Sequence, residues 1–205
     1  LFLDELPEFE RRVIEVLRQP LEDKKLSLSR SMISVEYPAD FMLVATMNPC
    51  PCGYYLDRQV DCQCQPYQRQ NYLKKVSGPI LDRFDIILFL SRLRVQDYQS
   101  KTIDTVYCSC ETKKRIDDAH RFQTDYRASD CRNGSFSIRD LDQYCISDPK
   151  SMAYLAGCVD QGSLTARSRD SILKVARSIA DLDGAETILN AHLMEALQYR
   201  KFRLE

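Results

Sequence analysis

No apolar run in the 205 residues approaches the roughly 20 needed to cross a bilayer, and no charged-then-apolar leader opens the chain. A membrane or secreted protein is therefore not expected, and the reading is a soluble, cytoplasmic one. A strong excess of charge is missing as well. Lys and Arg number 29 against 30 Asp and Glu, a net charge of -1. That excludes a broadly basic nucleic-acid coat but leaves room for a local basic element. Histidine occurs only twice, at His120 and His192, far apart on helical patterns and without a neighbouring ligand set, so both read as structural or surface residues. Glycine is scarce too: Gly53, Gly78, Gly134, Gly157, Gly162 and Gly184 are all there is. None lies in a G-x-x-x-x-G-K-[ST] loop, whose amides and lysine cradle nucleotide phosphates. Internal repeats and low-complexity tracts are absent.

Cysteine, by contrast, is plentiful. There are nine, four of them in two close pairs, Cys50–Cys52 and Cys62–Cys64. A secreted disulfide scaffold would be shorter and carry a leader, so clustered pairs point first to metal. The rest is ordinary for a globular chain, 44% hydrophobic and 29% charged, long enough for one large domain or two small ones.

Leu1–Leu3 reads as a short buried strand. Phe9, Val13, Val16 and Leu17 then recur at helical spacing, with Pro7 in the first turn and Pro20 as the stop. Leu26, Leu28, Ile33 and Val35 alternate with polar residues around Ser29–Ser31, which predicts a β-hairpin. Phe41–Thr46 (FMLVAT) and Asp85–Leu90 (DIILFL) look like central strands of a parallel sheet. Between them, 48–66 is a loop rich in Pro, Cys and Gly, and 66–76 is helical. Beyond Arg92 helical patterns fall at about 111–127, 138–146, 149–160, 164–182 and 186–202, with no convincing strand. The fourth carries Ile172, Val175, Ala176, Ile179 and Leu182 on one stripe, with Gly184 as its stop. The expected organisation is an α/β part, 1–92, followed by an all-α part, 93–205.

Several short stretches carry chemistry. An apolar strand ending in Asp4–Glu5 suits a nucleotide site, where the Asp holds the Mg²⁺ shell and the Glu polarises water, although many strands end in acids that meet solvent. Asn48, after the second strand, could orient that water or begin a turn before Pro49. In SGPILDRFD (77–85), Arg83 could be presented to a neighbouring subunit's nucleotide, or pair with Asp82 or Asp85. Arg167 and Arg169 oppose the dipole at a helix N-terminus and call for a phosphate or plain solvation. Lys24, Lys25 and Arg30, with Ser27, Ser29 and Ser31, form a basic hairpin that could grip DNA phosphates without reading sequence, or simply face solvent. Cys50, Cys52, Cys62 and Cys64 offer four thiolates for a structural Zn²⁺, the alternatives being free thiols, an iron–sulfur cluster or disulfides. Cys108 and Cys110 are a lesser candidate pair, and Cys131, Cys145 and Cys158 read as buried or incidental thiols.

The order of these stretches, LFLDE (1–5), ATMNPCPCGYY (45–55), CQC (62–64), SGPILDRFD (77–85), LTARS (164–168), ILKVARSIADLDG (172–184) and HLMEALQYR (192–200), resembles the magnesium-chelatase-like AAA+ ATPases of the ComM/YifB family over essentially the whole chain. The resemblance implies the C-terminal part of a P-loop ATPase α/β core followed by a helical lid. It assigns Asp4 and Glu5 to Walker B, Asn48 to sensor 1, Arg83 to the arginine finger and Arg167 to sensor 2. It also implies ATP and Mg²⁺ as cofactors, a homo-hexamer, and branch migration or translocation on DNA during uptake and recombination. Two positions depart from the pattern: Ser171 replaces a residue that is usually basic, and cysteines occupy 108 and 110. With no Walker A loop, the chain reads as the C-terminal portion of a longer ATPase and is expected neither to bind ATP tightly nor to hydrolyse it alone. The alternatives are a chelatase-type ATPase that remodels a protein partner, or a zinc-stabilised adaptor without enzymatic activity.

Overall fold

A computed structural model describes residues 1–30, 33–93, 108–127 and 131–200, with the backbone alone at 30 and 33. Ser31 of the basic hairpin and the last residues of the helix expected to reach 202 lie outside the described residues. The chain forms two compact units, one spanning Leu1–Phe84 and the other beginning at Asp85.

In the first unit, β1 (Phe2–Leu3) pairs in parallel with β4 (Val44–Ala45), Phe2 opposite Val44 and Leu3 opposite Ala45. Between them run a 3₁₀ turn (Leu6–Glu8), helices α1 (Arg11–Val16) and α2 (Arg18–Asp23), and the antiparallel hairpin β2 (Lys25–Arg30) and β3 (Ile33–Pro38). After a long irregular loop come α3 (Pro66–Leu73) and α4 (Gly78–Leu81). Leu6, Ile14, Val76 and Ile80 form the buried core, with Leu3, Ala45, Leu81 and Phe84 against it. Each such large apolar side chain contributes about 1.5–3 kcal/mol when buried.

Several expectations for this unit need correction. Pro20 does not stop a helix. It lies in the first turn of α2, where its missing N–H would have had no partner anyway, and the helical path breaks at Leu17 instead. The buried face of α1 is Ile14, while Val16 is 64% exposed and Val13 about half exposed. The β1 strand exists but is not buried, since Leu1 and Phe2 are both largely exposed. The strand expected over 41–46 is regular only at Val44–Ala45.

The second unit is helical: α5 (Ser109–Arg127), α6 (Ile138–Tyr144), α7 (Pro149–Asp160), α8 (Ala166–Leu182) and α9 (Asn190–Gln198). Side-chain caps start three of them: Ser137 accepts from Asp140 N–H, Asp148 from Lys150 and Ser151 N–H, and Thr165 from Ser168 N–H. Gly184, at φ 64°, ends α8 in a left-handed turn that costs glycine little. Ile172, Leu173, Val175, Ala176 and Ala180 of α8 supply the centre of the core, whereas Leu182 is partly exposed. The buried strand expected over 85–90 is not formed. Among the described residues it has no ladder partner; Ile87 N–H donates to Tyr199 C=O at 2.7 Å, and Leu90 is 87% exposed. His192 is buried, accepts the Leu189 N–H on Nδ1 and places Nε2 3.1 Å from Asp183, a structural role as expected.

One buried carboxylate organises this core. Asp181 accepts from Arg177 Nε at 2.8 Å, Arg127 Nη2 at 2.5 Å, Asn133 Nδ2 at 2.8 Å and Gln123 Nε2 at 2.9 Å. Arg177 also donates to the carbonyls of Ala185 and Glu186, closing the α8 C-terminus, and Arg127 lies over the Phe136 and Tyr144 rings. Among the described residues Asp181 is the only carboxylate of this cluster, and neutralising it takes from two buried guanidiniums the charge they share. Asp181→Asn is therefore expected to destabilise the chain by about 3–5 kcal/mol in urea unfolding; a loss under about 1 kcal/mol would refute this account of the core.

Candidate functional site

The parallel β1–β4 ladder places the ends of two strands side by side. Leu3 C=O accepts Thr46 N–H at 3.0 Å, and Thr46 C=O accepts Leu6 N–H at 2.8 Å. Between these bonds lies Asp4–Glu5. Thr46 Oγ1 donates to Asp4 Oδ1 and accepts Glu5 N–H at 3.1 Å. Glu5 sits at φ 54°, a left-handed conformation that costs an L-residue about 1–2 kcal/mol and here redirects the chain into the 3₁₀ turn. Both acids are solvent-exposed.

Glu5 and Asn48 open onto one cleft of about 620 Å³, lined also by Glu8, Pro51, Gln68, Asn71, Tyr72 and Lys75. Lys75 Nζ pairs with Glu8 at 3.3 Å and lies 5.7 Å from the Tyr72 ring centre. Burial, helped by the Glu8 charge, raises the Tyr72 phenol's pKa. The cleft thus combines carboxylate, amide and ammonium groups within a single unit.

Immediately beyond Asn48 the loop folds on its cysteines. The Sγ atoms of Cys50 and Cys52 are 3.4 Å apart, Cys50 and Cys62 3.7 Å, and Cys52 and Cys62 3.6 Å, with Cys64 inside the same cluster. A tetrahedron built on Zn–S bonds of about 2.3 Å has sulfur edges of about 3.8 Å, so the donor set fits such an ion. Gly53, at φ 82°, turns the chain immediately after the first pair, its N–H donating to Cys50 C=O at 3.0 Å. Tyr55 N–H donates to Cys50 Sγ at 3.3 Å, and Arg69 of α3 donates to Cys64 C=O at 2.7 Å while stacking on Tyr55. These contacts supply the outer support that a thiolate site needs. The Tyr54 backbone N–H leads in holding the Cys52 thiol down to about 6, while desolvation pushes Cys64 up to about 12 and Cys50 upward. Cys108 and Cys110 are exposed and belong to no metal-ligand cluster among the described residues, and burial pushes Cys145 up to about 12.

Within the first unit, neither Arg83 nor the hairpin lysines line this cleft. Arg83, 8% exposed, is held by Glu22 of α2 and by Pro79 C=O at 2.6 Å, not by Asp82 or Asp85. On the hairpin, Lys25 Nζ pairs with Glu36 at 3.2 Å and Lys24 Nζ with Asp40 at 3.4 Å, both exposed; Arg30 ends β2. Arg167 lies exposed in the first turn of α8, within the second unit.

Comparison with known proteins now bears on this arrangement. The pattern of magnesium chelatase, subunit ChlI, matches residues 1–98, and that of the ChlI C-terminal part matches 107–200. YifB of Salmonella typhimurium is 40% identical over 98% of this chain and 38% of its own length. Competence protein ComM of Haemophilus influenzae is 38% identical over the same shares. The chain belongs to the magnesium-chelatase-like family, in its ComM/YifB branch. An uncharacterised protein of Mycobacterium bovis is 34% identical over 98% of this chain and 39% of its own length. The chain thus spans less than two-fifths of the length of these relatives.

Within this ComM/YifB chain the departure at Ser171 has a local explanation, since its hydroxyl donates to Asp85 at the start of the same unit. Sequence reasoning passed over Thr46, Arg69 and Glu22. Arg69 and Glu22 are ordinary surface types whose partners lie on other elements, and only the strand register could have singled out Thr46. No described helix is long and apolar enough to cross a membrane.

The cysteine cluster gives a direct prediction. The chain is expected to bind one Co²⁺ with thiolate charge-transfer bands, and Zn²⁺ is expected to displace it. Affinity falls with pH because protons compete for the thiolates, most steeply once Cys52 protonates near pH 6. Absence of stoichiometric metal, with all four thiols alkylated under native conditions, would remove the site.

Proposed function

We propose that this chain is the Walker B-to-lid portion of an ATP-hydrolysing AAA+ motor that assembles as a homo-hexamer and acts on DNA. The observation that carries the reading is the convergence of Glu5 and Asn48 on one cleft at the ends of two paired parallel strands. In this reading Asp4 holds Mg²⁺, which supplies charge neutralisation at the nucleotide phosphates. Glu5 accepts a proton from the attacking water, and Asn48 orients that water beside the terminal phosphate. Arg83 serves a neighbouring subunit's nucleotide once its pair with Glu22 opens, and Arg167 acts as sensor 2 from the helical lid. The phosphate-cradling loop is contributed by polypeptide outside these residues. Zn²⁺ on Cys50, Cys52, Cys62 and Cys64 is structural, since a closed thiolate shell keeps no position open for substrate.

The hairpin is the proposed DNA contact, with Lys24, Lys25 and Arg30 of six subunits facing phosphates in a central pore. The exposed pairs with Asp40 and Glu36 are worth little and exchange readily for phosphate. A second reading has its own support: Leu28, Val35 and Tyr37 of the hairpin are exposed, a surface suited to a protein partner, as a chelatase-type remodelling ATPase requires.

ATP hydrolysis by the longer protein, measured with and without DNA, separates the two readings. Stimulation by DNA is expected, and the pair Lys25→Gln with Arg30→Gln should weaken DNA binding by at least about tenfold. Hydrolysis indifferent to DNA, with affinity unchanged in the variant, would favour the protein-partner reading.

A further inference from the structure

Thr46 brackets the acidic pair with four hydrogen bonds. Its N–H donates to Leu3 C=O and its C=O accepts from Leu6 N–H, fixing the backbone on either side of Asp4–Glu5. Its hydroxyl has one proton, which goes to Asp4 Oδ1, and a lone pair that receives the Glu5 N–H. Asp4 Oδ2 makes no hydrogen bond among the described residues, and Glu5, held at φ 54°, lines the cleft with Asn48, two residues beyond Thr46.

We propose that Thr46 is a positioning residue for the reaction, one hydroxyl setting both acids at once. By engaging Asp4 Oδ1 it reserves Oδ2 for a divalent cation. By holding the Glu5 amide it keeps a left-handed residue in place, so that the Glu5 carboxylate faces the cleft where a water is activated. The packing core of the unit does not include Thr46; its backbone bonds already hold the strands together, so the hydroxyl is free to serve the acids. This inference rests on the ATPase reading above.

The test uses the longer protein with Thr46→Val, which keeps the shape and loses the hydroxyl, and Thr46→Ser, which keeps the hydroxyl. Thr46→Val is expected to lower kcat by about tenfold to a hundredfold with KM for ATP nearly unchanged, and to raise the Mg²⁺ concentration giving half-maximal rate. Thr46→Ser should restore both to near the wild-type values. Amide exchange at Glu5, followed in the same proteins, should accelerate in Thr46→Val and remain slow in Thr46→Ser. Unchanged kcat and Mg²⁺ dependence in Thr46→Val, or equal losses in both variants, would overturn the proposal. If the wild-type protein does not hydrolyse ATP, the ATPase reading falls. The exchange measurement then still decides whether the hydroxyl positions Glu5, and equal exchange in all three proteins refutes it.

Discussion

The first unit depends on a very short parallel ladder. Phe2–Leu3 against Val44–Ala45 is too small to be stable by area alone, and it persists because Leu3 and Ala45 rest on Leu6, Ile14, Val76 and Ile80. That register sets everything chemical nearby. Shifting one strand by a single residue would turn Thr46 away from Asp4 and move Asn48 out of line with Glu5. Glu5 completes the arrangement at a conformational cost, since left-handed backbone in a glutamate persists only where its surroundings over-determine it.

The loop after Asn48 meets a different requirement. A stretch running from Asn48 to Gln65 without helix or strand has few backbone hydrogen bonds of its own and little apolar surface to bury. Four converging thiols, with Tyr55 and Arg69 around them, provide a compact alternative to a hydrophobic core. Because Asn48 and Pro51 both line the cleft, one loop connects the metal-ligand cluster with the candidate catalytic surface. The helical unit is organised on another principle, a fully buried carboxylate shared between Arg127 and Arg177.

What was legible in the sequence follows from how local each signal is. The helices of the second unit stood out because helical periodicity is a local signal and Gly184 ends one of them; the structure adds that Ser137, Asp148 and Thr165 cap three of them. The hairpin was equally plain, its alternation being a property of neighbouring residues. Asp85–Leu90 misled because strand character needs a partner, and apolar β-branched residues do not provide one by themselves. The α1 face was misassigned because Val13, Ile14 and Val16 are all apolar, and only tertiary packing chose Ile14. The Arg83–Glu22 pair joins residues 61 positions apart, beyond any local pattern. The cysteine cluster was readable because pair spacing is local, whereas the bridging role of Thr46 became visible only with strand register.

The claim that Glu5 and Asn48 form the water side of an ATP site is tested most directly by Glu5→Gln in the longer protein, measuring ATP binding and hydrolysis together. The amide keeps the size of the side chain but cannot take a proton from water. The account predicts that ATP still binds with near wild-type affinity while turnover falls at least about a hundredfold. Hydrolysis at the wild-type rate in Glu5→Gln would contradict it.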